Sequence, residues 1–391
     1  MRLTAEEEDA LGGAEGRAAQ KAARTLVDYA RAMGADRLVP IESVHSVISG
    51  GTIVFRGVFR VVQALADEGR QVSVPTTINP RPFEPGQPCL SDRVAFAWQG
   101  KLERLLAALG CRPVYSCTPY LDGNCPGQGE VVAWAESSAI CYANSVLAAR
   151  TNHTPGIVDL CCALLGKTPR FGLLLEENRL ARCLVEVKAT PPLDFSVLGY
   201  AAGTLAAGRI PLLVGVEASE DDLKHLGAAA AIASPAGMLH VAGITPEAVA
   251  LGKGILADDH ERLTLTDRDL AAVRESVSHE GRPDYVVFGC PHLSLAEVED
   301  VAQRLGGRAV KVPTWVVCGG EVRRALRGSE AQRLLVASGA ELRSMCPLFY
   351  HEAPHLRAPR LMTPSVKLAR HCTYPMYRPL EECVAVAVGE S

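Results

Sequence analysis

The chain contains no Cys-x-x-Cys pair, although it carries 13 cysteines. That absence removes zinc-knuckle and ferredoxin spacings and leaves any metal to be gathered from distant segments. Long apolar runs are missing as well. The stretches 195–208 and 226–246 are the longest with little charge; the first is too short and the second is broken by Pro235 and His240, against the roughly 20 apolar residues a spanning helix needs. No sign of charge dominates, since 40 Lys and Arg stand against 44 Asp and Glu, for a net charge of −4. Nucleic acid and membrane are therefore excluded as expected partners. The acidic opening Met1-Arg-Leu-Thr-Ala-Glu-Glu-Glu lacks the apolar core of a signal peptide, so the expectation is a cytoplasmic protein whose thiols stay reduced. An apolar share of 48% over 391 residues is enough for a large core and excludes disorder.

What is present alternates. Thr4 and Glu7 have capping-box spacing, and Leu11, Ala18, Ala22, Leu26 and Tyr29 recur at helical intervals, which predicts one long helix over 4–33. A short strand is expected near 38–44, a helix over 54–68, a strand over Val72–Ile78, and helices over 91–109 and 130–149. Beyond residue 183 apolar segments at Leu184–Val187, Ile210–Val216, Met238–Val241, Tyr285–Phe288 and Val310–Val317 alternate with amphipathic stretches at 219–229, 267–277, 294–305 and 330–338. That is the pattern of parallel β-α-β layers, and the expected fold class is α/β with a cleft at the strand ends. The expected division is a motif-rich region, 1–190, and a Rossmann-like region, 191–391, whose tail can pack back on the first half.

The chemistry-bearing residues sit at element ends. Thr76-Thr77-Ile78-Asn79-Pro80 ends a strand with two hydroxyls and an amide, where side chains face a cleft in open α/β sheets; an Asx-capped turn explains it equally well. Glu136, Ser137, Ser138, Asn144 and Ser145 lie among small apolar residues and read either as a satisfied buried network or as a binding surface. Arg150-Thr151-Asn152 and Arg179 offer guanidinium groups suited to a carboxylate, with structural ion pairs as the alternative. Cys290, in Gly289-Cys-Pro-His292, and Cys346, in Ser344-Met-Cys-Pro347, each follow an apolar strand. A packed core thiol is the alternative for either one.

Together these motifs resemble a family. Thr-Thr-Ile-Asn-Pro (76–80), Cys-Thr-Pro-Tyr-Leu (117–121), Trp-Ala-Glu-Ser-Ser-Ala (134–139), Tyr-Ala-Asn-Ser-Val-Leu-Ala-Ala-Arg-Thr-Asn (142–152), Glu-Asn-Arg (177–179), Gly-Cys-Pro-His-Leu-Ser (289–294) and Glu-Glu-Cys-Val-Ala-Val-Ala-Val (381–388) look like the large subunit of aconitase X, in order and along the whole chain. The resemblance implies an aconitase-like fold and an iron-dependent hydro-lyase. Its expected substrate is a small hydroxy acid, cis-3-hydroxy-L-proline first, with mevalonate 5-phosphate or another hydroxy acid as alternatives. It also implies a separate small, swivelling-domain subunit that supplies the base.

Carried over from the family motifs, Cys117, Cys290 and Cys346 are the expected ligands of an iron–sulfur cluster or a mononuclear iron. Lys367, His45 and His292 are the expected catalytic groups. Thr76, Thr77, Asn79, Glu136, Ser137, Ser138, Asn144, Arg150, Thr151, Asn152 and Arg179 are the expected substrate contacts. Relatives of the hydroxyproline type carry a thiol after the histidine where this chain has Ser49. A metal-free paralogue that binds a carboxylate or a partner protein is the competing expectation.

Overall fold

The computed structural model describes residues 1–48, 56–84, 93–348 and 359–390. Thr4 caps the helix Ala5–Gly12 in the reciprocal arrangement with Glu7 that the spacing predicts. The single helix expected over 4–33 is two, because Gly13 leaves the first at φ 90° and a second starts at Arg17 and runs to Ala32. The apolar stripe survives the break: Ala18, Ala22 and Leu26 are buried in the first core.

Five strands belong to the first part of the chain: β1 (Leu38–Pro40), β2 (Val44–Ser46), β3 (Thr76–Ile78), β4 (Ala133–Trp134) and β5 (Lys167–Pro169). β1 and β5 pair antiparallel, while β3-β2-β4 form a parallel sheet in which His45 lies opposite both Thr77 and Trp134. Next come β6 (Ala181–Lys188), β7 (Pro211–Val214), β8 (His240–Val241) and β9 (Leu256–Thr266), in the parallel order β8-β7-β6-β9. The last group is β10 (Tyr285–Leu293), β11 (Thr314–Cys318), β12 (Glu341–Arg343), β13 (Leu361–Thr363) and β14 (Pro375–Tyr377), in the parallel order β12-β11-β10-β13-β14. The α/β class and its parallel layers are as expected.

Several details differ from the sequence expectation. The helix placed over 130–149 begins only at Ser137, because the backbone N–H groups of Ala133 and Trp134 go to Ser43 O and Thr151 Oγ1 and Glu136 then caps the helix Ser137–Ser145. The strand placed over Val72–Ile78 shortens to 76–78, since Val72 and Ser73 bond to Leu109 and Ala163 instead. β9 escapes recognition because its Asp-Asp-His-Glu-Arg run is solvent-facing polarity with no clean alternation. β6, on the N-terminal side of the expected divide near residue 190, sits inside the second sheet. In the C-terminal tail, β13 and β14 complete the third sheet.

One close approach fixes how the second layer packs. The helices Phe195–Ala206 and Glu220–Ala233 cross at Gly199 and Gly203, and a Cβ on Gly199 would lie 2.1 Å from the Leu226 carbonyl oxygen. That contact is backbone, so no rotamer can relieve it. Gly199→Ala is therefore expected to destabilise the protein by about 1–3 kcal/mol, the usual range for overpacking. Urea unfolding checks this; an unchanged midpoint contradicts the packing described.

Candidate active site

Three parallel strands aim their C-terminal ends at one place. Asn79 follows β3, His45 lies in β2, and Glu136 stands two residues beyond β4 as the cap of the helix Ser137–Ser145. From the third sheet comes Lys367, in the first turn of the short helix Val366–His371 that follows β13. Its Nζ donates to Glu136 Oε1 at 2.6 Å, to Ser138 Oγ at 3.0 Å and to Ser137 Oγ at 3.4 Å. Three donors thus meet three acceptors. Glu136 also accepts from Ser138 Oγ at 3.0 Å and from Asn79 Nδ2 at 3.1 Å.

Behind Asn79 the polar groups form a directional chain. Asn124 Nδ2 donates to Thr77 Oγ1 at 2.8 Å, Thr77 Oγ1 meets His45 Nδ1 at 2.9 Å, and His45 Nε2 faces Asn79 Oδ1 at 3.4 Å. Asn79 has an acceptor toward His45 and a donor toward Glu136, so the network assigns the proton to His45 Nε2 and lets Thr77 donate to Nδ1. Each donor then points toward the Glu136 carboxylate.

The electrostatics follow from this wiring. Burial alone would raise the Glu136 carboxyl, but the Lys367 ammonium beside it, with help from Ser138 and His45, carries it down to about 2. Burial works on Lys367 in the opposite sense, and Glu136 first, then Cys290 and Cys117, hold it well above the ordinary lysine range. Burial pulls His45 and His292 down to about 4 each, so both imidazoles are neutral at neutral pH.

Two of the three expected cysteines are bonded to residues close to this cluster in sequence or space. Cys117 Sγ accepts from the His292 backbone N–H at 3.2 Å, and the Cys290 carbonyl accepts from Ser365 Oγ, two residues before Lys367. Burial pushes Cys290 and Cys346 up to about 12 and Cys117 higher still; each thiol feels the charge of another of the three, and Lys367 acts against all of these shifts. The His292 ring is held through Nδ1 by Ser116 Oγ at 3.3 Å. Its Nε2 makes no bond of normal geometry, although the Met345 backbone favours its charged form. Among the described residues no group of three or more His, Cys, Asp and Glu side chains is arrayed to hold a metal ion. Ser49 lies outside the described residues.

Of the expected substrate contacts, Thr77, Asn79, Glu136, Ser137 and Ser138 come together with Lys367 and His45. Six do not, because their polar atoms are committed to the fold. Thr76 Oγ1 bonds the Val74 carbonyl. Asn144 joins Thr151, Gly237 and Arg179. Thr151 Oγ1 receives the Trp134 N–H, and Asn152 ties down Phe171 and Leu173. Arg179, 3% exposed, divides its donors among Glu247, Asn144, Leu173 and Ala149, so the carboxylate grip expected of it is replaced by structural pairing. Arg150 pairs with Glu176 and the Leu174 carbonyl. Sequence reasoning missed Asn124, Ser116 and Glu84, which sit in turns and carry no periodic signal. A cavity of about 680 Å³ borders Asp194, His225, Arg274, Glu297 and Cys290, but Glu136, Lys367 and His45 do not line it.

Known proteins resemble this chain along most of its length. Family models described as the aconitase X first, second and third domains match residues 1–177, 181–275 and 283–389. The phosphomevalonate dehydratase large subunit of Thermococcus kodakarensis is 38% identical over 323 residues, 81% of either chain. That of Methanosarcina mazei is 36% identical over 353 residues, 88% of this chain and 85% of that protein. The cis-3-hydroxy-L-proline dehydratase of Hypocrea jecorina is 38% identical over 325 residues, but these make up 54% of its length. The crystal structure of Thermococcus kodakaraensis aconitase X in its holo-form superposes with a TM-score of 0.91 at 32% identity, over 99% of this chain and 100% of that one.

Two outcomes follow for the ion pair. Lys367→Met strands a buried carboxylate and is expected to cost about 3–5 kcal/mol, whereas Lys367→Met with Glu136→Gln costs less, since no charge is left unpaired. Equal losses in urea unfolding contradict the coupling. Acidification works in the same direction. His45 and His292, lowered from 6.5 to about 4, and Glu136, lowered from 4.5 to about 2, each bind protons more readily in the unfolded chain. Their contribution to stability is present at neutral pH. The histidine part is lost as pH falls from 6.5 through 4, and the Glu136 part between 4.5 and 2. A urea midpoint that stays flat from pH 7 to pH 4 contradicts these assignments.

Proposed function

The chain belongs to the aconitase X family, and from that membership we propose that it is the large subunit of a hydro-lyase that removes water from a small hydroxy acid. The observation that carries the proposal is the meeting of Lys367, Glu136, Asn79 and His45 where two separate parallel sheets come together. Two substrates stand behind it in the names of the relatives, cis-3-hydroxy-L-proline and phosphomevalonate. Both are compact hydroxy acids, and either one needs a fixed positive charge near its carboxylate.

Elimination of water asks for two things: a base for the carbon-bound proton and an acid for the departing hydroxyl. Lys367 supplies the fixed charge. Its ammonium is kept protonated by Glu136, and a substrate carboxylate reaches it by replacing the Ser137 or Ser138 hydroxyl among its three acceptors. Glu136 serves as anchor for that ammonium, since a carboxylate brought down to about 2 and saturated with donors is a poor proton acceptor at neutral pH. Neutral His45 relays orientation from Thr77 to Asn79 and on to Glu136. With both histidines drawn down to about 4, none of these groups is tuned near neutrality as an effective base requires. This supports a base donated by a small partner subunit, the arrangement that the relatives' name "large subunit" implies.

Thiols are donors suited to an iron centre, and the three that the family motifs single out are Cys117, half-buried, and Cys290 and Cys346, both buried. Cys117, Cys290 and Cys346 would hold it, and when bound it supplies Lewis acidity toward the leaving hydroxyl. The second reading, a metal-free paralogue that binds a carboxylate at Lys367, draws on the lack of a ready metal array among the described residues.

The two readings part on one experiment. The full chain is purified anaerobically with a small subunit of the family, reconstituted with iron and sulfide, and assayed on both hydroxy acids. The hydro-lyase reading expects bound iron and turnover of one substrate, with iron lost in Cys290→Ser and kept in Cys161→Ser, whose thiol lies in the buried helix Gly156–Leu165. Protein that takes up no iron and turns over neither acid, yet gains thermal stability with a carboxylate, establishes the second reading instead.

A further inference from the structure

The segment that follows β3 does more than carry Asn79. Five residues on, Glu84 is buried, and its Oε2 accepts two successive backbone N–H groups of the third sheet, Ser344 at 2.7 Å and Met345 at 3.1 Å. The next N–H in the row, that of Cys346, goes to the Arg81 carbonyl at 2.7 Å. Three consecutive amides ahead of and including the thiol-bearing residue are therefore held by one short stretch of the first part of the chain. That stretch is itself anchored. Arg81 makes a two-pronged pair with Glu103 at 2.7 and 3.0 Å and lies over the Tyr115 ring at 3.7 Å, while Glu84 Oε1 accepts from Arg323 Nη1 at 3.0 Å.

We propose that Glu84 is a positioning residue: its carboxylate pins the Ser344-Met345-Cys346 turn to the end of β3 and so sets where the third thiol stands relative to Cys117 and Cys290. A single carboxylate oxygen shared by two adjacent amides fixes the path of a turn in a way that no side-chain packing around Cys346 does, and the charge makes both bonds strong. The same segment bonds Glu136 through Asn79, Cys346 through the Arg81 carbonyl, and Ser344 and Met345 through Glu84, so the distance between the ion pair and this thiol depends on nine residues of chain, 76–84. The inference rests on the reading that Cys346 belongs to the active site, but its structural content is tested without iron.

The test is alkylation of the reduced, metal-free full chain with iodoacetamide, followed cysteine by cysteine in time by mass spectrometry. Glu84→Ala is expected to speed modification of Cys346 about tenfold or more, the scale of losing one charge-assisted hydrogen bond, while Cys161 and Cys162 react as in the parent. Glu84→Gln keeps an oxygen for the two amides, so its Cys346 rate should lie between parent and Glu84→Ala; this variant carries the test if the alanine protein does not fold. An unchanged Cys346 rate in the folded variants overturns the proposal, and so does equal acceleration of all the buried thiols. Iron uptake by the same proteins is the separate arm. If the parent binds no iron, the ligand reading fails while the alkylation rates still decide the role of Glu84; if the parent binds iron, Glu84→Ala should retain less of it.

Discussion

A buried ammonium and a buried carboxylate, Lys367 and Glu136, hold the molecule's chemistry in place. Neither charge is tolerable alone in a site so little exposed. The pairing forces a residue from the end of the third sheet to meet a helix cap from the first, and their neighbours orient around it. Ser137 and Ser138 face the ammonium, Asn79 faces the carboxylate, and His45 and Thr77 set the direction of Asn79.

That constraint also divides the work. A carboxylate so well supplied with donors is an anchor, and an ammonium held by it is a permanent positive charge. Cys117, Cys290 and Cys346 come from segments more than 200 residues apart in sequence (117 to 346), and the Lys367 charge favours the ionised form of each. What the cluster lacks is a base tuned to neutral pH. A large subunit that binds and polarises, completed by a partner that removes the proton, is the division of labour this geometry favours.

The sequence showed much of this, for identifiable reasons. Regular periodicity and strand-end motifs were legible, so the α/β class and the place of Asn79 at a strand end could be anticipated, while Lys367 and the grouping of the site residues came only from the resemblance to a family. Polarity among small residues was harder to interpret. Asn144, Thr151, Asn152 and Arg179 look like ligand contacts in one dimension, yet in three they satisfy backbone carbonyls and amides at the junction of the first and second sheets, as buried polar atoms usually must. The loop residues Glu84, Asn124 and Ser116 gave no warning, because their distant partners lie between 47 and 261 residues away and the rest are local groups that no pattern announces. A charged strand such as β9 was invisible for the opposite reason: its exposed face lacks the alternation that marks a half-buried strand.

The account is tested most directly by X-ray diffraction at the iron absorption edge from crystals of the anaerobically reconstituted full chain with its small subunit. An anomalous peak bounded by the sulfurs of Cys117, Cys290 and Cys346, beside the Lys367–Glu136 pair, is the predicted result. A map with no iron there, or with iron held by other residues, contradicts it.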